Sequence, residues 1–380
     1  MELILTSLLI FFLPSQLGLH FWPHFSYVGS IPIDYLSPTL FLTDLFIIPL
    51  LVIYLVRSEK SVKKFSKIII PGLFVLINII FGLNPSNSFF KYLRLVEYGI
   101  LVCYFSARTK YLFHSLKNIF PYSLILINSL AWLQFYYQRS LNGLWYLWGE
   151  RFYTLSTPYI AKISVLNLGQ FVRPYSTFSH PNSLAGFLLV SFLVLRYFYR
   201  YNKNQTLLLT QIFILITIPL TFSRIGIFLE AFLILNVFLK TRLKFLFIIP
   251  LLFITIFIGN SQSLSERLNL IKVSLTQIIH HPLFGIGLGN FPIISPNHQP
   301  DHFLPTLLIS ELGIPISLAL LLLLTKILKI IKQLPQEILL TWVVILITSL
   351  ADHYWLTLPQ NLLLVFIVIS LSLNINRKKG

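Results

Sequence analysis

Apolar residues form long blocks along this chain of 380 residues, and short polar segments separate the blocks. A helix needs about 20 residues to cross the apolar interior of a bilayer, so the pattern predicts twelve membrane spans. Their expected positions are 3–19, 38–56, 68–84, 90–107, 119–137, 182–199, 205–222, 225–239, 245–260, 304–325, 337–352 and 358–375. We therefore predict an all-α fold, with residues 1–380 forming a single polytopic membrane helix bundle of about 12 transmembrane helices.

The distribution of basic residues predicts the orientation of this bundle. If the N-terminus is cytoplasmic, most of the 29 lysines and arginines fall in cytoplasmic connections, as the positive-inside rule requires. Both termini then face the cytoplasm of a multi-pass protein of the cytoplasmic membrane. The two longest connections, 139–181 and 261–303, form two long outward loops. Because loops carry chemistry more freely than spans, we expect an extracytoplasmic active face there.

Composition agrees with a bilayer as the main partner. The mean hydropathy is +0.79 and only 11% of residues are charged, whereas a soluble domain has about 25%. The chain is therefore not a large water-soluble enzyme. Its net charge of +17 lies in clusters between apolar blocks, so topology explains it better than nucleic-acid binding does.

The first segment with candidate chemistry is 173–186, which ends the first outward loop and enters the sixth predicted span. Pro181 suits a helix start, and Ser179 or Asn182 could satisfy free N–H groups there. Arg173 and His180 beside a helix N-terminus form a reasonable anion site. A second candidate is Arg224, in an outer turn between two apolar blocks. Each arginine could instead reach lipid phosphate at the interface, which is the simpler interpretation.

Two further segments lie in the second outward loop and just after it. Gly287 and Gly289 belong to a run of alternating glycines (282–291) that lacks dinucleotide-binding spacing, so it is either a packed loop or part of the substrate lining. His302 is a candidate general base. His298, four residues earlier, could instead bind zinc with it. Glu311 is expected to face the bundle interior.

These four segments, in this order, resemble the O-antigen ligase and O-antigen polymerase family of bacterial membrane glycosyltransferases. The matching stretches are Arg173-Pro-Tyr-x-Thr-Phe-x-His-Pro-Asn182, Ser223-Arg224, Pro282-x-x-Gly-x-Gly-x-Gly289, and Gln299-Pro-x-His302 with Glu311 nine residues further on. One position departs from the family pattern, since Phe303 stands where an Asn usually follows the histidine. The motifs cover about 173–315, and the first 140 residues agree mainly in hydropathy.

The resemblance implies a GT-C-type glycosyltransferase architecture and a polyprenyl-diphosphate-linked glycan as donor. Arg173, Arg224 and His302 would be the catalytic residues of a metal-independent, inverting transfer without a cofactor. The substrate-binding candidates are His180, Asn182, Gly287, Gly289, Glu311, Lys91 and Arg94. The acceptor hydroxyl could belong to a glycan, a lipid or a protein, corresponding to a polymerase, a ligase or a protein glycosyltransferase.

A second function class also fits the pattern. A non-catalytic polyprenyl-glycan transporter, or flippase, would need a charged cavity through the inner half of the bundle. An enzyme should instead have a polar pocket confined to the outer half. Most predicted spans have Leu, Ile and Phe at their centres, and polar residues gather at the outer ends, so the enzyme is the leading hypothesis.

Overall fold

The computed structural model describes residues 1–57, 66–165, 169–238, 261–331 and 333–377. Most of these residues are helical. The helices are α1 (Glu2–Phe11), α2 (Asp44–Arg57), α3 (Ser66–Ile80), α4 (Pro85–Ala107), α5 (Thr109–Asn118), α6 (Phe120–Tyr137), α7 (Pro181–Tyr201), α8 (Gln205–Thr217), α9 (Arg224–Phe238), α10 (Ser261–His280), α11 (Phe291–Ile294), α12 (Leu304–Leu312), α13 (Ile314–Ile331), α14 (Gln336–Ser349), α15 (Tyr354–Thr357) and α16 (Pro359–Arg377).

The expectation of about twelve membrane spans, and of a GT-C bundle built from them, is wrong. Within the described ranges, two helices, α7 and α16, are long and apolar enough to cross a membrane. They coincide with the predicted spans 182–199 and 358–375. A third candidate exists only if α5 and α6, which meet at a 40° bend, count as one span. The predicted span 245–260 lies outside the described residues.

The hydropathy pattern overestimates the number of spans because an average over a window does not detect breaks in the helices. Helix α1 ends at Phe11 after 10 residues, which at 1.5 Å per residue is about half the thickness of a bilayer core. The predicted span 304–325 is divided at Gly313, where the backbone is left-handed (φ +79°). Helix α4 has 23 residues, but it carries Lys91, Arg94 and Glu97 and is therefore too polar.

The fold is also not purely α-helical. The described residues form three two-stranded antiparallel sheets outside the helices: β1 (Gly18–His20) with β4 (Thr39–Phe41), β2 (Tyr27–Val28) with β3 (Ile31–Pro32), and β5 (Lys162–Val165) with β6 (Gly169–Val172). Their registers pair Leu19 with Leu40, Val28 with Ile31, and Ser164 with Gln170. Short 3-10 turns occupy His24–Ser26, Asp34–Leu36, Gly143–Trp148, Pro219–Thr221 and Pro296–His298.

Helix α7 lies at the centre of the molecule. It is apolar on all sides, and 83% of its most apolar window is buried inside the protein, as expected for a core helix rather than a surface one. Helices α14 and α8 pack along it, while α16 packs along α4.

The two candidate spans begin at the same end of the molecule. At the start of α16, Gln360 Nε2 donates to the carbonyl of Thr177 (3.1 Å) and Asn361 Nδ2 donates to that of Ser183 (3.2 Å). The first turns of α7 and α16 therefore lie side by side. Their opposite ends are basic, with Arg200 and Arg377 in the last turns.

Candidate active site

The loop before α7 is held in place by the buried side chain of Gln134 on α6. Its Oε1 accepts hydrogen bonds from the backbone N–H groups of Tyr175 (3.1 Å) and Ser176 (2.6 Å), and its Nε2 donates to the carbonyl of Ser176 (3.1 Å). Ser176 takes a left-handed conformation (φ +52°). The loop therefore turns sharply into α7 and leaves Arg173 beside the start of that helix.

His180 caps the N-terminus of α7. Its Nδ1 accepts a hydrogen bond from the backbone N–H of Asn182 (3.1 Å), while Pro181 occupies the first helical position and has no N–H to satisfy. Burial, together with the nearby positive charge of Arg173, lowers the pKa of His180 to about 3 against the opposing effect of Asp352. The imidazole is therefore neutral at pH 7, as its role as an acceptor requires.

Arg173 connects three parts of the chain. Its Nε donates to the carbonyl of Thr221 (2.7 Å), and its Nη2 donates to Oδ1 of Asn182 (2.7 Å). Asn182 Nδ2 in turn donates to Oδ2 of Asp352 (3.3 Å). The segment before α7, the turn before Arg224 and the segment before α15 thus meet at one place.

Asp352 is the acceptor at the centre of this network. Its Oδ1 lies 3.2 Å from Nδ1 of His302 and accepts from the backbone N–H of His353 (2.9 Å). Burial alone would raise the pKa of Asp352. The hydrogen bond with His302 and the histidines around the carboxylate, including His353, instead hold its pKa well below its usual range. An ionised carboxylate only accepts hydrogen bonds, so Nδ1 of His302 carries the proton.

This arrangement leaves the other ring nitrogen of His302 available. Among the described residues, none forms a hydrogen bond with its Nε2, and a quarter of the side chain is exposed. Fixing Nδ1–H on a carboxylate makes Nε2 the basic atom. Asp352 therefore fixes the tautomer of His302. The family pattern would have an Asn amide beside the histidine for this purpose, at the position that Phe303 occupies here. Asp301 does not, because it accepts from Ser274 and Thr306 instead.

The site contains more positive than negative charge. Arg267 on α10 donates to the carbonyl of Ala351 (2.7 Å), directly beside Asp352. Burial and the proximity of Arg224 and Arg267 lower the pKa of Arg173 to about 10, although Tyr175 and Asp352 act in the opposite direction. Arg173 thus interacts electrostatically with two other guanidinium groups and with one carboxylate, Asp352. Arg224 itself is exposed, and within the described chain it has no hydrogen bond or ion pair.

The other sequence candidates lie in separate structural clusters. The glycine loop (285–289) has left-handed φ at Gly287 (+89°) and Gly289 (+79°). Asn87 Nδ2 donates to the carbonyl of Gly289 (2.8 Å), and a Cβ added to Gly289 would lie 2.7 Å from Cγ of Lys91. Glu311 is buried and accepts from the backbone N–H of Phe291 (3.2 Å). These residues hold the loop against α4.

Arg94 is fully occupied by protein partners. It forms a two-bond ion pair with Asp44 (2.6 and 2.9 Å), a second pair with Glu97 (2.7 Å), and a hydrogen bond to the carbonyl of Thr39 (2.8 Å). Such bidentate pairing satisfies the planar guanidinium group. The structure therefore gives Arg94 a role in joining α2 to α4.

The structure does not bring His298 and His302 together as helical neighbours. His298 lies in a left-handed turn (φ +51°), and its Nδ1 is 3.0 Å from the carbonyl of Pro292. A different set could hold a metal ion, because ligand atoms of His302, Asp352 and His353 lie within 4.8 Å of one another. Two imidazoles and one carboxylate are a chemically suitable donor set for zinc.

Sequence reasoning missed Arg267, Asp352 and His353. A signal was present for the last two, because an Asp-His pair stands where the predicted span 337–352 ends and the short outward connection to 358–375 begins. Arg267 gave no comparable signal in a long polar loop. Comparison of the chain with protein families, curated proteins and solved structures gave no match.

Proposed function

We propose that this protein is a membrane glycosyltransferase that moves a glycan from a polyprenyl diphosphate to an acceptor hydroxyl. The observation that carries the proposal is the single network joining Arg173, Asn182, Asp352 and His302. Its outer members come from two of the motifs that resemble the O-antigen ligase and polymerase family. The surplus of guanidinium groups around it suits a diphosphate.

The chemistry assigned to each group is as follows. The acceptor oxygen attacks the anomeric carbon, its proton passes to Nε2 of His302, and the bond from that carbon to the diphosphate oxygen breaks. The lipid diphosphate leaves with the bonding electrons, and Arg173, Arg224 and Arg267 stabilise its growing negative charge. Asp352 stabilises the imidazolium as it forms. Direct displacement inverts the anomeric centre, and no step needs a metal or a cofactor.

We place this site at the outer face of the cytoplasmic membrane. Helices α7 and α16 both begin beside the site, and both end in basic turns containing Arg200 or Arg377. Basic ends favour the cytoplasmic side, so the site would lie on the opposite side. A lipid-linked donor could then reach it within the outer leaflet.

The test uses native substrates, so neither the sugar nor the acceptor has to be known. Detergent-solubilised membranes from cells lacking the protein, which contain both lipids and proteins, would be incubated with purified protein, and free polyprenyl diphosphate would be measured by mass spectrometry. We expect wild-type protein to release it and His302→Ala to release about 10²- to 10⁴-fold less. Equal release by the two proteins would overturn the proposal. A transporter releases no diphosphate in detergent solution.

A further inference from the structure

An open cleft of about 260 Å³ lies between the N-terminal segment and the first outward loop. Its walls include the side chains of His20, Tyr146, Arg151 and Phe152. The two segments touch at Gly149, where φ is +89° and an added Cβ would lie 2.4 Å from the backbone nitrogen of Leu17. Only glycine fits this approach, so the cleft is a built feature of the fold.

The walls combine aromatic faces with polar groups. The side chains of Tyr146 and Phe152 remain 63% and 72% exposed, so their ring faces are accessible. Among the described residues, Arg151 has one long ion pair, 3.8 Å to Asp34, which leaves guanidinium donors for a ligand. Nδ1 of His20 lies 3.2 Å from the hydroxyl of Ser37 and 3.1 Å from that of Thr39, and the imidazole stacks on the ring of Trp22.

Two contacts connect this cleft to the candidate active site. The ring of Tyr35, the neighbour of Asp34, meets the ring of His353 edge-on with a centroid distance of 5.9 Å. Gln16, another residue of the cleft, accepts from Gln360 Nε2 (3.5 Å) at the start of α16. Tyr35 and Gln16 therefore link the region of the cleft to His353 and to the start of α16, beside the candidate active site.

We infer that this aromatic cleft is a saccharide subsite that binds one hexopyranose ring of the glycan. A pyranose has an apolar C–H face that packs on aromatic rings, and its hydroxyl groups accept from an arginine. The volume lies just below the range of about 300–1,000 Å³ usual for drug-sized ligands, which suits one sugar ring. The assignment to a glycan substrate rests on the proposed function, whereas sugar binding can be measured independently of it.

Binding would be measured by saturation-transfer NMR on the full-length protein in detergent. The probes are the methyl glycosides of glucose, galactose, N-acetylglucosamine and glucuronic acid. We expect at least one to bind, and Tyr146→Ala or Phe152→Ala to weaken it about 3- to 10-fold. Tyr146→Phe, which keeps the ring face, should bind within about twofold of wild type.

Tyr159→Ala is the matched control, because Tyr159 is an aromatic residue of the same outward loop, fully exposed and outside the cleft. It should bind like wild type. If no glycoside binds the wild-type protein, or if the cleft variants bind as well as Tyr159→Ala, the subsite is wrong. The latter result would leave Tyr146 and Phe152 as aromatic anchors at the membrane interface.

The diphosphate-release assay separates the failure of this inference from that of the proposed function. If His302→Ala loses release while no glycoside binds, only the subsite fails. If glycosides bind through Tyr146 and Phe152 while His302→Ala releases as much diphosphate as wild type, only the transferase proposal fails. If both hold, the cleft variants should raise KM for the lipid-linked donor more than they lower kcat.

Discussion

Nδ1 of His302 lies 3.2 Å from Oδ1 of Asp352, although the two residues are 50 positions apart in the chain. Neither is a sequence neighbour of the other, so the pair depends on how α12 and the segment after α14 are packed. A histidine held in this way has one defined tautomer and one available basic nitrogen. The pair is therefore the most informative place to test the proposed chemistry.

Asp352→Asn should retain the shape of the pair but remove the charge that stabilises an imidazolium. We expect diphosphate release to fall about 10²- to 10⁴-fold, with the protein still folded. Glu266→Gln, on an exposed carboxylate of α10, is the control and should react like wild type. Release by Asp352→Asn within about threefold of wild type would show that the carboxylate does not assist His302.

The arginines should differ in what they contribute to folding. Arg173 holds Thr221 and Asn182, so Arg173→Ala should lower both the melting temperature and diphosphate release. Arg224 is exposed and has no partner within the described residues, so Arg224→Ala should lower release while leaving the melting temperature within about 2 °C of wild type. Arg224→Lys keeps the charge but loses the planar fork and should be intermediate. Wild-type release by Arg224→Ala would remove Arg224 from the site.

Two buried histidines that resist protonation should each contribute a loss of stability on mild acidification. Burial lowers the pKa of His180 to about 3 and that of His353 to about 4, against the opposing effect of Asp352. The unfolded chain, with an ordinary histidine pKa of 6.5, binds these protons first. The contribution of these two histidines is therefore complete above pH 6.5 and is lost as pH falls towards 4, by about 1.4 kcal/mol per pH unit and histidine.

Melting temperatures measured between pH 7 and pH 5 would test this dependence. His180→Asn retains a good helix cap but removes one titrating group, so the melting temperature of the variant should rise relative to that of wild type as the pH falls from 7 to 5. Asp352, whose pKa is depressed, loses its stabilising effect only below its usual pKa of 3.8 and does not act in this window. Identical slopes in the two proteins would contradict burial of a neutral His180.

The glycine loop should affect folding more than substrate binding. A Cβ at Gly287 would lie 2.6 Å from Nδ2 of Asn290 and 2.7 Å from Oγ of Ser88, and φ is +89° there. We expect Gly287→Ala to destabilise the protein by about 1–3 kcal/mol. Gly99→Ala, in open space on α4, should be neutral or slightly stabilising. Thermal melting in detergent distinguishes the two, and equal stability would mean that the loop is not tightly packed.

The sequence predicted local features better than the overall architecture. Spans 182–199 and 358–375 correspond to α7 and α16 because each is an unbroken apolar helix begun by a proline. Among the other predicted spans, 304–325 is interrupted at Gly313 and 90–107 lies on α4, which carries Lys91, Arg94 and Glu97. Mean hydropathy averages over a whole window, so it hides a single break or a few charged residues that prevent a helix from crossing a membrane.

The residues of the candidate site also fall into two groups, those that the sequence predicted and those that it did not. Arg173 and His302 stand in recognisable motifs, so sequence reasoning selected them. Asp352 and Arg267 meet them only through tertiary packing, which no spacing rule predicts. The glycine loop and Arg94 were selected for their chemistry, but their polar groups are used by neighbouring backbone and carboxylates. Residue type therefore showed which side chains could take part in catalysis or binding. It did not show which of their polar groups already form hydrogen bonds or ion pairs within the protein.

The last prediction concerns the metal. His302, Asp352 and His353 could bind zinc, and Nδ1 of His353 lies 2.6 Å from the hydroxyl of Thr357, a common orienting contact for a metal ligand. If His302 is instead a base, His302→Ala should lose release about 10²- to 10⁴-fold, while His353→Ala keeps most of it and a chelator has no effect. His298→Ala should behave like wild type under either hypothesis, because its ring bonds to the carbonyl of Pro292.

Zinc would give a different set of results. Both His302→Ala and His353→Ala would then be equally inactive, a chelator would abolish release, and added zinc would restore it. Elemental analysis of purified protein would find about one zinc per chain in the wild type and less in each variant. We expect none of these results, because a carboxylate that already fixes Nδ1 of His302 completes a proton acceptor without a metal. Chelator sensitivity together with equal loss in the two histidine variants would overturn that assignment.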